Sequence, residues 1–104
     1  MRLLILFLAS NLCAGEVKLA WDPNPPQDLV QSYIVYEHFH DTTTFIAIEQ
    51  VSTNWATLLA VPPGEHCYVV TASNFWGESV FSNEACTMVL VENRPLPVTG
   101  SRFL

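Results

Sequence analysis

The chain has 104 residues, 50% of them hydrophobic, 13% charged and 12% aromatic, with a net charge of −6 and three cysteines. That length makes one domain, and the apolar content excludes a disordered chain. Four basic residues against ten acidic ones argue against nucleic acid or an anionic membrane surface as the partner.

The N-terminus reads as a leader. Met1–Gly15 carries one basic residue, Arg2, then the apolar run Leu3–Ala9, then the small residues Ala14 and Gly15 beside Cys13. This is the layout of a secretory signal peptide, with cleavage expected near Gly15. The apolar run falls far short of the ~20 residues needed to span a bilayer. Acylation of Cys13 is disfavoured, because Leu12 rather than a small residue precedes it. Loss of residues 1–15 removes Arg2 and the odd cysteine, leaving Cys67 and Cys86 in a more acidic chain. Two cysteines in a small exported domain read most simply as a disulfide. The expected location is secreted, periplasmic or cell-surface, with no membrane contact once the leader is gone.

From residue 16 onward the pattern is one of strands. Short alternating runs recur about every ten residues between Pro, Gly, Asn and Asp, which predicts an all-β sandwich or barrel. Val17–Trp21 alternates and is stopped by Asp22-Pro23-Asn24-Pro25-Pro26, since proline donates nothing to a ladder. Ser32–Phe39 follows, with Tyr33, Val35, Glu37 and Phe39 on one face. Phe45–Val51, Trp55–Val61, His66–Ser73 and Phe81–Val91 complete six predicted strands, with a turn over Asn74–Ser79. The domain spans residues 16–91, and residues 92–104 form a flexible tail.

Five pieces stand in order along this frame: Leu19-Ala20-Trp21-Asp22-Pro23, Ser32-Tyr33-Ile34-Val35-Tyr36, Pro63-Gly64-Glu65-His66-Cys67-Tyr68-Val69-Val70-Thr71-Ala72, Gly77-Glu78-Ser79 and Ser82-Asn83-Glu84. Together they resemble a fibronectin type III domain, especially the variety found in secreted bacterial proteins. The resemblance implies an immunoglobulin-like, two-sheet β-sandwich with Greek-key connections. It makes Trp21 the core tryptophan of the second strand, and Tyr33 and Val35 the inward pair of the third. Tyr68, Val70 and Ala72 become inward residues of the sixth.

The sequence departs from that pattern in three places. The first strand is missing, supplied by the uncleaved leader, or donated by a partner. His66 stands where the family has its corner tyrosine, and can make a similar hydrogen bond. In Trp55–Val61 the favoured register turns Ala56 and Leu58 inward, with a local irregularity before Val61, and leaves Trp55 partly exposed. A hairpin turning between Trp76 and Gly77 sets Cys67 opposite Cys86, the pairing that a cross-strand disulfide requires.

Candidate chemistry is sparse. His38 and His40 lie on one side of a strand, a spacing that suits zinc or copper. With His66 at another corner the ligand set is too small, so a polar strand end and no metal or cofactor are expected. No phosphate loop, carboxylate pair, nucleophile elbow or Cys–His constellation appears, and no catalytic residues are assigned. The aromatic tip Asn74-Phe75-Trp76-Gly77-Glu78 is the strongest binding candidate. Against it stands the simpler expectation that Phe75 or Trp76 folds back over the sheet edge. Trp55 and Phe81 are candidates to extend the tip surface. Leu96-Pro97-Val98-Thr99-Gly100 matches the sortase pentapeptide, but only Ser101–Leu104 follow it, so the tail is read as a flexible end. The resulting expectation is a non-catalytic binding or adhesion module for a protein or glycan. Self-association by strand addition, as a structural subunit, is its alternative, and a small metal-binding protein using His38 and His40 is the remote third.

Overall fold

The structure is a computed structural model that describes residues 15–39 and 41–90, together with the backbone of residues 6–10. Cys13, His40 and the tail with its Leu96–Gly100 pentapeptide lie outside the described residues, as do both ends of the leader. Among the described residues eight strands form: β1 Leu6–Ser10, β2 Val17–Trp21, β3 Ser32–His38, β4 Phe45–Val51, β5 Trp55–Leu58, β6 Gly64–Asn74, β7 Gly77–Glu78 and β8 Ala85–Val89. They make two antiparallel sheets. One has the order β1-β2-β5; the other runs β4-β3-β6, with β7 and β8 both pairing β6.

Alternation decides what enters the space between the sheets. In β2, Val17, Leu19 and Trp21 are buried while Lys18 and Ala20 are half-exposed, the period of two expected of a half-buried strand. They face Tyr33 and Val35 of β3, Tyr68, Val70 and Ala72 of β6, and Val89 of β8 in one core. Trp21 and Tyr33 meet edge to face at 5.5 Å between ring centroids, a favoured arrangement for aromatic pairs. The Tyr33 hydroxyl accepts from Asn24 N–H at 2.9 Å, so the burial of its ring strands no polar group. Trp21, Tyr33, Val35, Tyr68, Val70 and Ala72 are all buried, in agreement with the expected inward rows.

In the full chain, the first-strand position is taken by residues of the expected leader. Residues 6–10, inside the expected leader, form β1 antiparallel to β2, with Leu6 opposite Trp21 and Leu8 opposite Leu19. In β5 the favoured register holds: Ala56 pairs Leu19 and Leu58 pairs Val17, both buried, and Trp55 faces outward. The strand stops at Leu58 rather than at Val61, because Ala60 takes φ +56. Val61 then turns back to the core, its N–H donating to the Gly15 carbonyl at 2.8 Å.

Two boundaries differ from the sequence reading in an instructive way. The hairpin turn is centred on Phe75-Trp76, since Asn74 pairs Gly77 and Ser73 pairs Glu78. Gly77 follows the turn at φ +128, in the region that favours glycine. The final strand is also not continuous over Phe81–Val91; it breaks into β7 and β8 around residues 79–84. There, serine hydroxyls stand in for strand carbonyls. Ser79 Oγ accepts from Ala72 N–H and Ser82 Oγ from Val70 N–H, each at 2.9 Å. The extra residues in this break move the register, so that below it Cys67 sits opposite Cys86 after all. A disulfide joins them.

Candidate functional site

The two ends of the sandwich differ in character. At one end, the β2–β3 loop, the β4–β5 loop and the β6–β7 turn are tied together. Asn54 Nδ2 donates to the Trp21 carbonyl at 2.9 Å, and Trp21 N–H donates to the Asn54 carbonyl at 3.0 Å. Asn74 Nδ2 donates to the Asp28 carbonyl at 2.8 Å, which fastens the hairpin tip to the β2–β3 loop. Within that loop a short 3-10 turn, Pro26–Asp28, ends at Leu29 with φ +52. A non-glycine residue in that conformation is uncommon, and its N–H donates to the Pro26 carbonyl at 3.0 Å.

Phe75 and Trp76 crown this end. Phe75 is 83% exposed and Trp76 76%, so neither folds back over the sheet edge. The rings contact each other edge to face at 5.6 Å, and Trp76 N–H donates to Asn74 Oδ1 at 2.8 Å. The turn is thus braced from Asn74 in both directions while its two largest side chains project to solvent. Trp55, 55% exposed, stands at the start of β5 directly after the Asn54 link, on the same end. Leu29 adds an exposed apolar residue next to Asp28.

Phe81 does not extend this surface. It lies on the outer face of the larger sheet, 4.5 Å from Phe45 and 5.3 Å from Tyr36 between ring centroids. Val69 and Thr71, outward residues of β6, are buried. Carboxylates flank this row: Glu78 accepts from Tyr36 Oη at 2.6 Å and from Thr71 Oγ1 at 2.9 Å. Burial and the neighbouring Glu78 push the Tyr36 hydroxyl above its usual range.

The histidines are engaged by the fold. His38 places Nε2 2.7 Å from the Thr42 carbonyl and Nδ1 2.7 Å from Glu84 Oε2. The Thr42 carbonyl first, and Glu84 second, hold its imidazole above the ordinary histidine range. His66 sets Nε2 2.7 Å from the Pro62 carbonyl and Nδ1 2.7 Å from Glu37 Oε2, a corner bond of the type expected at that position. Cys67, Cys86 and Glu84 bring two sulfurs and a carboxylate within 4.8 Å of one another, and the disulfide occupies both sulfurs.

Of the residues singled out from sequence, Phe75, Trp76 and Trp55 share one end, while Cys67 and Cys86 lie on β6 and β8 toward the other. Sequence reasoning missed Leu29. Its signal was slight: a lone leucine after the Pro-rich stop, with no periodic partner.

No protein-family model matches the sequence, and a comparison with curated proteins finds no match. Solved structures do match. The fibronectin type III domain of the human fibronectin type III domain containing protein 3 superposes with a TM-score of 0.72 at 17% identity, over 94% of this chain and 92% of that one. A fibronectin type III domain from the human KIAA0970 protein gives 0.73 at 16% identity, over 96% and 85%. The twitchin kinase region from C. elegans gives 0.71 at 17% identity, covering 82% of this chain and only 16% of that much longer one. The chain has the fibronectin type III fold.

Proposed function

We infer that this fibronectin type III fold is an exported, non-catalytic binding module that engages a protein or glycan partner through the hairpin tip of Phe75 and Trp76, with Trp55 at the same end of the sandwich. The observation that carries the reading is the exposure of two adjacent aromatic side chains on a braced turn. Large rigid rings on a fixed support lose little conformational entropy on binding and are the residues most often found at the centre of interfaces. Neither ring belongs to the buried core cluster of the described residues. Export is supported by the leader pattern of residues 1–15 and by the Cys67–Cys86 disulfide, which suits an oxidising compartment. No helix among the described residues is long and apolar enough to cross a membrane. The test is a glycan array and a cross-linking capture from the extracytoplasmic compartment, run with the wild type and with Phe75→Ser/Trp76→Ser. A partner held by the wild type and lost by the variant supports the assignment; equal capture by both overturns it.

A second reading rests on β1. Its five residues fall within the expected leader, so cleavage near Gly15 leaves the β2 edge without its neighbour. An unpaired edge accepts a strand from another chain, and this favours assembly by strand addition. Light scattering on Glu16–Leu104 decides it: a stable oligomer supports assembly, and a monomer excludes it.

A further inference from the structure

At the end of the sandwich opposite the tip, the inward rows of the larger sheet change from apolar to acidic. Val35 is fully buried, and Glu37 follows it two residues on, on the same face of β3. Glu49 of β4 lies directly opposite Val35, and Tyr68 of β6 directly opposite Glu37. These three side chains meet a cleft of about 230 Å³, walled on its apolar side by Ile48, Leu58 and Val61. Edge protection accounts for an inward charge on an edge strand such as β4, but not for Glu37 on the central strand β3.

The polar groups of the cleft are under-used. Tyr68 is completely buried, and its hydroxyl has no hydrogen-bond partner among the described residues. A buried hydroxyl left unpaired is costly, and such a group points to a missing partner. Glu37 spends Oε2 on His66 Nδ1. Glu49 has no hydrogen bond or ion pair among the described residues, and it is exposed at the mouth. Glu37, Glu49 and Tyr68 thus bring three acceptor groups, two of them carboxylates, to the lining of one cleft whose other walls include apolar side chains.

We propose that this cleft binds a primary alkylammonium group, the ammonium meeting Glu37, Glu49 and the Tyr68 hydroxyl while its methylene stem lies against Ile48, Leu58 and Val61. An ammonium brings three donors and no acceptor, which matches three acceptors. Its stem is apolar and its head charged, the same division that the cleft walls present. The net charge of −6 favours approach of a cation. Two sources supply this chemistry, a lysine side chain of a protein and a free diamine. The site lies away from the aromatic tip, so its fate is independent of the binding role given to Phe75 and Trp76.

The experiment is an NMR titration of the full chain, following the amides of Glu37, Glu49 and Tyr68. The probes are n-butylammonium, n-butanol, putrescine, and a capped lysine peptide with its Nε-acetylated form. Saturable shifts with n-butylammonium, at least tenfold weaker binding of n-butanol, and loss on Nε-acetylation are expected. Glu49→Gln weakens binding about tenfold. Tyr68→Phe, which keeps the ring, weakens it several-fold, and Phe75→Ser/Trp76→Ser leaves it unchanged. Tighter binding of the capped peptide than of putrescine assigns the site to protein lysine; the reverse order assigns it to free diamines. Equal binding of n-butanol and n-butylammonium, no saturable shift, or full affinity in Glu49→Gln overturns the proposal.

Discussion

Replacing Cys67 and Cys86 by alanine tests how the last hairpin holds the sandwich together. The two residues are separated by 19 positions and lie opposite each other on β6 and β8. In the chain-entropy model, closing a loop of that length lowers the entropy of the unfolded chain enough to stabilise the fold by about 3 kcal/mol. That is a large share of the roughly 5–15 kcal/mol that holds a small domain folded. For a domain of this size, about 3 kcal/mol corresponds to a fall in Tm of roughly 12–24 °C. The strand pairing itself does not depend on the bond, since β8 also holds the fully buried Val89 against the core. The variant is therefore expected to keep its sheet signature by circular dichroism and to lose stability in urea, read from the fluorescence of buried Trp21. Chemical reduction of the wild type should reproduce the loss. A change below about 1 kcal/mol in both experiments would refute the view that this bridge constrains the unfolded chain.

Further outcomes are expected elsewhere in the fold. Trp21→Ala opens a cavity in the centre of the core and is expected to cost about 3–5 kcal/mol, measured by urea denaturation under circular dichroism; Trp55→Ala, half in solvent, should cost far less. Ser82→Ala leaves the Val70 N–H without its acceptor in a buried position, and about 1–3 kcal/mol should be lost, with faster hydrogen exchange at Val70. His38 gains its raised pKa from the Thr42 carbonyl and Glu84. Its contribution is therefore fully present below the unfolded value of about 6.5 and is lost as pH rises through the higher folded value. Urea midpoints should decline across that window in the wild type and stay flatter in His38→Gln; an equal decline in both would contradict this.

The sandwich was legible because its core rows are regular. Val17, Leu19 and Trp21, then Tyr33 and Val35, then Tyr68, Val70 and Ala72 alternate without interruption, and all are buried. The register of β5 was readable from Ala56 and Leu58 because the irregularity at Ala60 separates them from Val61. What escaped was local. The sequence reading placed the turn one position late, yet it paired Cys67 with Cys86 correctly, because the break at residues 79–84 shifts the register. Nothing in the spacing of Ser79 and Ser82 distinguishes hydroxyls that replace strand carbonyls from ordinary surface serines. The acidic cleft was invisible for a similar reason. Glu37 and Glu49 join Tyr68 only through the pairing of β3 with both β4 and β6. At the tip, the residues were named from sequence, but whether their rings packed or projected depended on the Asn74 links to Trp76 and Asp28.

The most direct test of the binding role is the affinity of an identified partner for the wild type and for Phe75→Ser/Trp76→Ser, at matched stability. Both side chains are largely in solvent, so the double substitution should alter folding stability by no more than about 0.5 kcal/mol. Binding should weaken at least thirtyfold, corresponding to about 2 kcal/mol or more, as expected of aromatic anchors. Unchanged affinity in a variant of unchanged stability would contradict the account.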